Sequence, residues 1–281
     1  MTTVRVVTDS ACDIPPALAD QHGIIVVPLT VRFGDEEFVD RRDLSPEEFW
    51  SRVASSPVLP ETAAPSPGAF EAAYREAAAA GAPGVVAVLL SADLSATYQA
   101  AELAARAVAD VVPVRVIDSR SLTSGEGSIA LAAARAAAEG KSLDEVVEVA
   151  AEMVGRTRVY AALDTLENLK KGGRIGGAQA MIGSMLSIKP IIELSTGKVE
   201  QESKQRTRTK SLRYLADKVK AYDRVENLSV MHGDAPDIEA FLDMLGAAGY
   251  DRDAILVGDM GAVIGAHAGP RVVGVTFQVP R

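Results

Sequence analysis

The chain reads as an α/β protein of two closely packed α/β domains, the first built on a mainly parallel sheet and the second on a mixed sheet. Three observations predict this. Its 281 residues exceed one average domain. Short β-branched runs alternate with helix-like stretches, and a hairpin pattern appears only in the second half. Hydrophobic residues at 48% with charged residues at 24% give a folded globular chain rather than a disordered one.

In order, residues 4–8, 24–33, 85–90 and 114–117 read as strands, with helices between most of them. Ser45-Pro46-Glu47-Glu48 supplies an N-cap, a proline at the first helical position and a capping-box glutamate, so a helix starts there and carries Phe49 and Trp50. Apolar strands separated by helices favour a parallel sheet covered on both faces. Such sheets bind ligands beyond the carboxyl ends of their strands. Three segments at that edge are rich in hydroxyls: Thr8-Asp9-Ser10, residues 91–95 and residues 118–124. Helix capping and ligand binding both account for such residues. The Ala-rich segment 131–138, interrupted by Arg135 and closed by Glu139-Gly140, is expected as a buried helix.

A helix patterned by Leu143, Val146, Val147, Val149, Ala150 and Met153 ends near Arg156, and a fresh strand follows at 159–163. The boundary is therefore set between residues 1–156 and 157–281. Residues 190–194 and 198–201 suit a hairpin around Ser195-Thr196-Gly197, a helix starts near Thr207, and strands near 228–231, 254–257 and 272–277 complete a mixed second layer. No low-complexity linker separates the halves, which predicts a cleft between them.

Several functions are disfavoured. A net charge of -9 opposes nucleic-acid binding. Cys12 is the single cysteine, which rules out an internal disulfide or a paired-cysteine zinc site and fits a reducing cytoplasm. The N-terminal residues carry no export signal, and no apolar run approaches the roughly 18 residues of a membrane span. His22, His232 and His267 lack metal-ligand spacing, so no metal is expected. Gly125-Glu126-Gly127-Ser128-Ile129-Ala130 fits a dinucleotide fingerprint only weakly, because Asp144 and Glu145 begin a helix where a ribose-binding acid would end a strand. A flexible strand-to-helix turn is expected there. With no phosphate-cradling G-x-x-x-x-G-K-[ST] loop either, ATP is not expected to bind this chain. No G-x-S-x-G elbow is present; Ser95 and His267 paired in space would make a stand-alone acyl hydrolase, the alternative reading.

Two basic segments remain. Lys170-Lys171-Gly172-Gly173-Arg174-Ile175-Gly176-Gly177 is a glycine-dense loop. Lys204, Arg206, Arg208 and Lys210 open a helix, where positive charge opposes the dipole and invites an anionic partner. For the loop, flexibility alone is the alternative; for the second stretch, a solvated charged face is the equal alternative.

Taken together, Thr8-Asp9-Ser10 with Asp13-Ile14-Pro15, Val27-Pro28-Leu29, residues 62–67, Leu94-Ser95-Ala96-Thr97-Tyr98-Gln99, residues 164–175, Ile188-Lys189-Pro190, Arg206-Thr207 and Gly265-Ala266-His267 resemble the DegV family nearly end to end. The lipid-binding members of that family are the fatty-acid-binding subunits of bacterial fatty acid kinase. The resemblance implies one long-chain fatty acid buried between two α/β domains, its carboxylate held by hydroxyls and a histidine at Thr62, Ser95 and His267, with Ala63 and Ala96 beside them. It implies no further cofactor and no catalytic residue in this chain: a separate kinase brings ATP and forms the acyl phosphate, and Arg174 and Arg206 contact that partner or the phosphoryl group. By the same analogy the chain is a cytoplasmic monomer outside the kinase complex. It departs from the family pattern where Thr62-Ala63-Ala64-Pro65 replaces Thr-Ser-Gln-Pro, Ser95-Ala96-Thr97 replaces Ser-Gly-Thr, and His267-Ala268-Gly269-Pro270 replaces His-Thr-Gly-Pro, which removes side-chain donors around the carboxylate. Met181, Ile182, Met185 and Leu186 are candidates to line the tail cavity, Met being adaptable, with ordinary core packing as the alternative.

Overall fold

The computed structural model describes residues 3–181 and 188–281. The first half runs β1 (Arg5–Asp9), α1 (Pro16–Gln21), β2 (Ile25–Val27), β3 (Thr30–Phe33), β4 (Glu36–Val39), α2 (Pro46–Ser55), β5 (Glu61–Ala63), α3 (Pro67–Ala79), β6 (Val85–Leu89), α4 (Thr97–Ala107), β7 (Val114–Asp118), α5 (Thr123–Ala138) and α6 (Leu143–Arg156). The second runs β8 (Thr157–Ala162), α7 (Glu167–Lys171), β9 (Lys189–Glu193), β10 (Glu200–Gln205), α8 (Arg208–Lys220), β11 (Glu226–His232), α9 (Ile238–Ala247), β12 (Leu256–Asp259), α10 (Ala262–Ala268) and β13 (Val273–Gln278).

Strands β2, β1, β6 and β7 pair in that order, all parallel. The sheet is buried on both faces, as its unbroken apolar runs require: Ile129, Ala133 and Val146 of α5 and α6 cover one face, and Phe70, Tyr74 and Ala101 of α3 and α4 the other. The strands after residue 156 form a six-stranded sheet in the order β10-β9-β8-β13-β11-β12, parallel only between β11 and β12. Its side chains alternate as a pleat demands. Tyr160, Ala162 and Phe277 pack outward with Leu212, Leu215 and Phe241 of α8 and α9. Val159, Ala161 and Ile192 point inward to a core shared with Leu29, Phe49 and Trp50 of the first half.

The predicted capping box starts α2: Ser45 and Glu48 exchange side-chain and backbone hydrogen bonds, and Ser142 with Glu145 repeats the device at α6. Helix α2 joins the halves, because Trp50 Nε1–H donates to the Met260 carbonyl at 3.0 Å. Two sequence expectations are corrected. The run 24–33 is two strands, since Pro28 has no N–H for a ladder; the Leu29 N–H goes instead to Ser10 Oγ at 3.1 Å, and β3 leaves to form an antiparallel sheet in the order β4-β3-β5. The segment Gly125–Ala130 lies inside α5 and is neither a phosphate loop nor a flexible turn. A Cβ on Gly127 would sit 2.6 Å from the Cys12 carbonyl and one on Gly125 2.1 Å from Ser121 Oγ, so these glycines allow the helix to pack closely.

Candidate functional site

A cavity of about 950 Å³, mouth included, lies between the carboxyl edge of the parallel sheet and the inner face of the mixed sheet. Its walls are almost entirely apolar: Leu29, Leu90, Leu94 and Leu122 from the first half face Val159, Ala161, Leu163, Ile192, Leu194 and Val199 from the second, with Met260, Val263 and Ile264 closing the side. At one end the lining turns polar at Thr62, Ser95, Arg174 and His267. Thr62, Arg174 and His267 also line an outer, polar chamber with Glu61, Asn168 and Lys171. These three residues thus stand where greasy space meets polar space.

Local structure sets each of them. Thr62 is the half-buried middle residue of β5, paired with Val31 of β3; the pleat turns its side chain inward and leaves Ala63 exposed. Ala63 is outside the cavity lining, and Ala64 takes part instead. His267 sits in the last turn of α10, and its ring fits because Gly172 has no side chain: a Cβ there would lie 2.4 Å from Nδ1. Its Nε2 is 2.9 Å from Thr62 Oγ1. Burial, with the Arg174 charge adding to it, lowers the His267 pKa to about 4, so the imidazole is neutral at pH 7 and has one donor and one acceptor nitrogen. Arg174 is fixed by two carbonyls, Nε donating to Leu94 at 3.0 Å and Nη1 to Gly172 at 2.7 Å. It thereby ties the glycine-dense loop to the residue just before Ser95.

Ser95 lies ahead of α4, where its Oγ accepts the Thr97 N–H at 3.3 Å and is 2.8 Å from Thr97 Oγ1; Ala96 follows it in the lining. Among the three hydroxyl-rich segments, this one brings its serine to the polar mouth. The others mainly stitch loops, as where Asp9 accepts the N–H groups of Ala11 and Leu90 at 2.9 and 3.0 Å. Arg206 is exposed, immediately before the Thr207 cap of α8, and lines neither chamber. Ser95 and His267 are not hydrogen-bonded to each other; the imidazole engages Thr62, and among the described residues His267 Nδ1 has no hydrogen-bond partner to orient it as a base.

Behind the cavity is a buried acidic cluster. Thr123, whose φ of 47° is strained for a β-branched residue, lines the cavity and donates to Asp13 Oδ2 at 2.6 Å. Asp13 Oδ1 accepts from Arg41 at 2.6 Å and from the Gly261 N–H at 3.0 Å. Burial pushes the Asp9 pKa up to about 7, and burial with the Asp9 charge pushes Glu126 well above the usual carboxylate range. Among the described residues, no group of three or more His, Cys, Asp or Glu is arranged to hold a metal ion, and no helix is long and apolar enough to cross a membrane.

The strand residues Val159, Ala161, Ile192 and Gly274 of the lining are not distinguished by the sequence pattern, because a strand buried on both faces shows no contrast between its two sides. Gly274 was the available signal, a glycine inside an otherwise β-branched run. Met181 is buried in the shared core and is not part of the cavity lining; Ile182, Met185 and Leu186 lie outside the described residues.

Fold and site together define an α/β binding protein whose apolar cavity opens through a polar mouth. The chain belongs to the DegV family: the model described as "Uncharacterised protein, DegV family" matches residues 3–279. A DegV domain-containing protein of Streptomyces coelicolor is 39% identical over 281 residues, covering 98% of each chain. Among solved structures, a fatty-acid-binding DegV family protein from Thermus thermophilus has a TM-score of 0.91 at 32% identity, covering 99% of this chain and 100% of its own. DegV of Bacillus subtilis, a fatty acid binding protein, has a TM-score of 0.88 at 29% identity, covering 100% of both chains.

Proposed function

We propose that this chain binds one long-chain fatty acid between its lobes, residues 1–156 and 157–281, and presents it to a separate ATP-dependent fatty acid kinase. The observation that carries this is an apolar cavity whose open, polar end is formed at Thr62, His267 and Arg174. A buried carboxylate is costly unless hydrogen-bonded or paired. On this reading a neutral His267 carries its proton on Nε2 and donates it to Thr62, whose hydroxyl is then free to donate to the carboxylate, while Arg174 supplies positive charge and Ser95 a second hydroxyl. Burial of the tail drives affinity: a dozen methylenes at roughly 0.8 kcal/mol give on the order of 10 kcal/mol gross, before ordering costs.

The outer chamber, with Lys171 and Arg174, gives a phosphoryl group a cationic approach to the same carboxylate. On this reading a carboxylate oxygen attacks the terminal phosphorus of ATP held by the kinase, the bond from that phosphorus to the bridging oxygen breaks, and ADP leaves with acyl phosphate formed. Arg206, exposed on the surface, is assigned to contact with the kinase. Native mass spectrometry with solvent extraction tests the binding step: a stoichiometric fatty acid lost in Ser95→Ala or His267→Ala is expected, and a protein that ignores added fatty acids sinks the proposal. Trapping acyl phosphate with hydroxylamine tests presentation; a kinase that works equally well on free fatty acid without this chain removes that half.

A further inference from the structure

Gly274 is the second residue of β13, a central strand of the mixed sheet, paired on both sides, where a glycine weakens the strand and needs a reason. Its strand partners are Ala161 on one side and Met231 on the other, and its inner face lines the cavity. Other buried glycines here are required by their neighbours: a Cβ on Gly233 would lie 2.6 Å from the Trp50 ring, and one on Gly265 2.7 Å from Phe49. Gly274 differs. A Cβ there would meet nothing nearer than Met260 Cε at 3.6 Å and two backbone carbonyls at 3.7 Å, which is ordinary contact, and its backbone is outside the left-handed region. Neither sheet packing nor backbone conformation excludes a Cβ at this position, which faces the cavity.

We infer that Gly274 sets the bore of the cavity and so the length of acyl tail this chain accepts, which rests on the fatty-acid reading above. The strand runs away from the polar mouth, from Val272 near α10 toward Thr276, which lies against Gly125 in the first turns of α5. A tail long enough to follow that floor passes over the Gly274 Cα, and a short one stops before it. A side chain at this position therefore displaces methylenes of long tails only.

The test is a set of Gly274→Ala, Gly274→Val and Gly274→Leu variants, with melting temperatures measured and dissociation constants determined for saturated acids from octanoate to octadecanoate. Each methylene denied its place weakens binding about fourfold, so the leucine variant, adding four carbons, is expected to lose on the order of a hundredfold for the longest acids and to match wild type for the shortest. Alanine, seated at ordinary contact distance, keeps the protein folded and shifts the long acids by a few-fold, which preserves the test if leucine misfolds. A ratio to wild type that is flat along the series, whether near one or uniformly large, overturns the inference. Wild-type protein that binds none of the acids instead removes the fatty-acid reading on which it rests.

Discussion

Replacing Thr62 by valine keeps the shape of the inward residue on β5 and deletes its hydroxyl. In the arrangement proposed above, that hydroxyl, 2.9 Å from His267 Nε2, accepts from the imidazole and donates onward to the carboxylate. A hydrogen bond to a charged group is worth roughly 1.5–3 kcal/mol, so Thr62→Val should weaken fatty-acid binding about 10- to 150-fold. If His267 acts through Thr62, removing both residues costs little more than removing Thr62 alone. If each residue touches the carboxylate independently, the two losses add. Displacement of a fluorescent fatty acid from wild type, Thr62→Val, His267→Ala and the double variant measures the four constants, and melting temperatures check the fold. Additive losses refute the relay; Thr62→Val binding within twofold of wild type refutes the placement of the carboxylate.

Two further outcomes follow from the buried groups. Asp9 is raised from 3.8 to about 7, so the folded protein binds more protons than the unfolded chain between those values, and this contribution of a few kcal/mol is present below pH 4 and lost as pH rises toward 7. His267, lowered from 6.5 to about 4, acts in the opposite direction, its contribution being lost as pH falls from 6.5 through 4. Urea unfolding of Asp9→Asn at pH 5 and pH 7.5 should show a more favourable stability change toward the higher pH than wild type; an unchanged difference would show that Asp9 does not titrate in this range. Gly265→Ala forces a methyl within 2.7–2.9 Å of the Phe49 and Trp50 rings and should cost about 1–3 kcal/mol, and a melting temperature equal to wild type would mean that α2 shifts to accommodate it.

Some of this protein was legible in one dimension because it depends on neighbours along the chain. Ser45 and Glu48 cap α2 wherever that helix lies, and the apolar runs of β1, β6 and β7 specify a covered parallel sheet. The hydroxyl-rich segments also fell at the carboxyl ends of those strands, and the ordered set of motifs was enough to mark the DegV family. The break at Pro28 was written in the sequence too, but the destination of β3 was not: its partner β5 begins 28 residues after β3 ends, and no local signal connects them. The site was decided in three dimensions. Thr62 and His267 are 205 positions apart and meet only when β5 and α10 pack together, the His267 pKa is set by burial that the fold creates, and the cavity is the space left between two sheets. Sequence determines which strands and helices can form; a cavity is made by what they leave unfilled, and that depends on contacts between residues far apart in the chain.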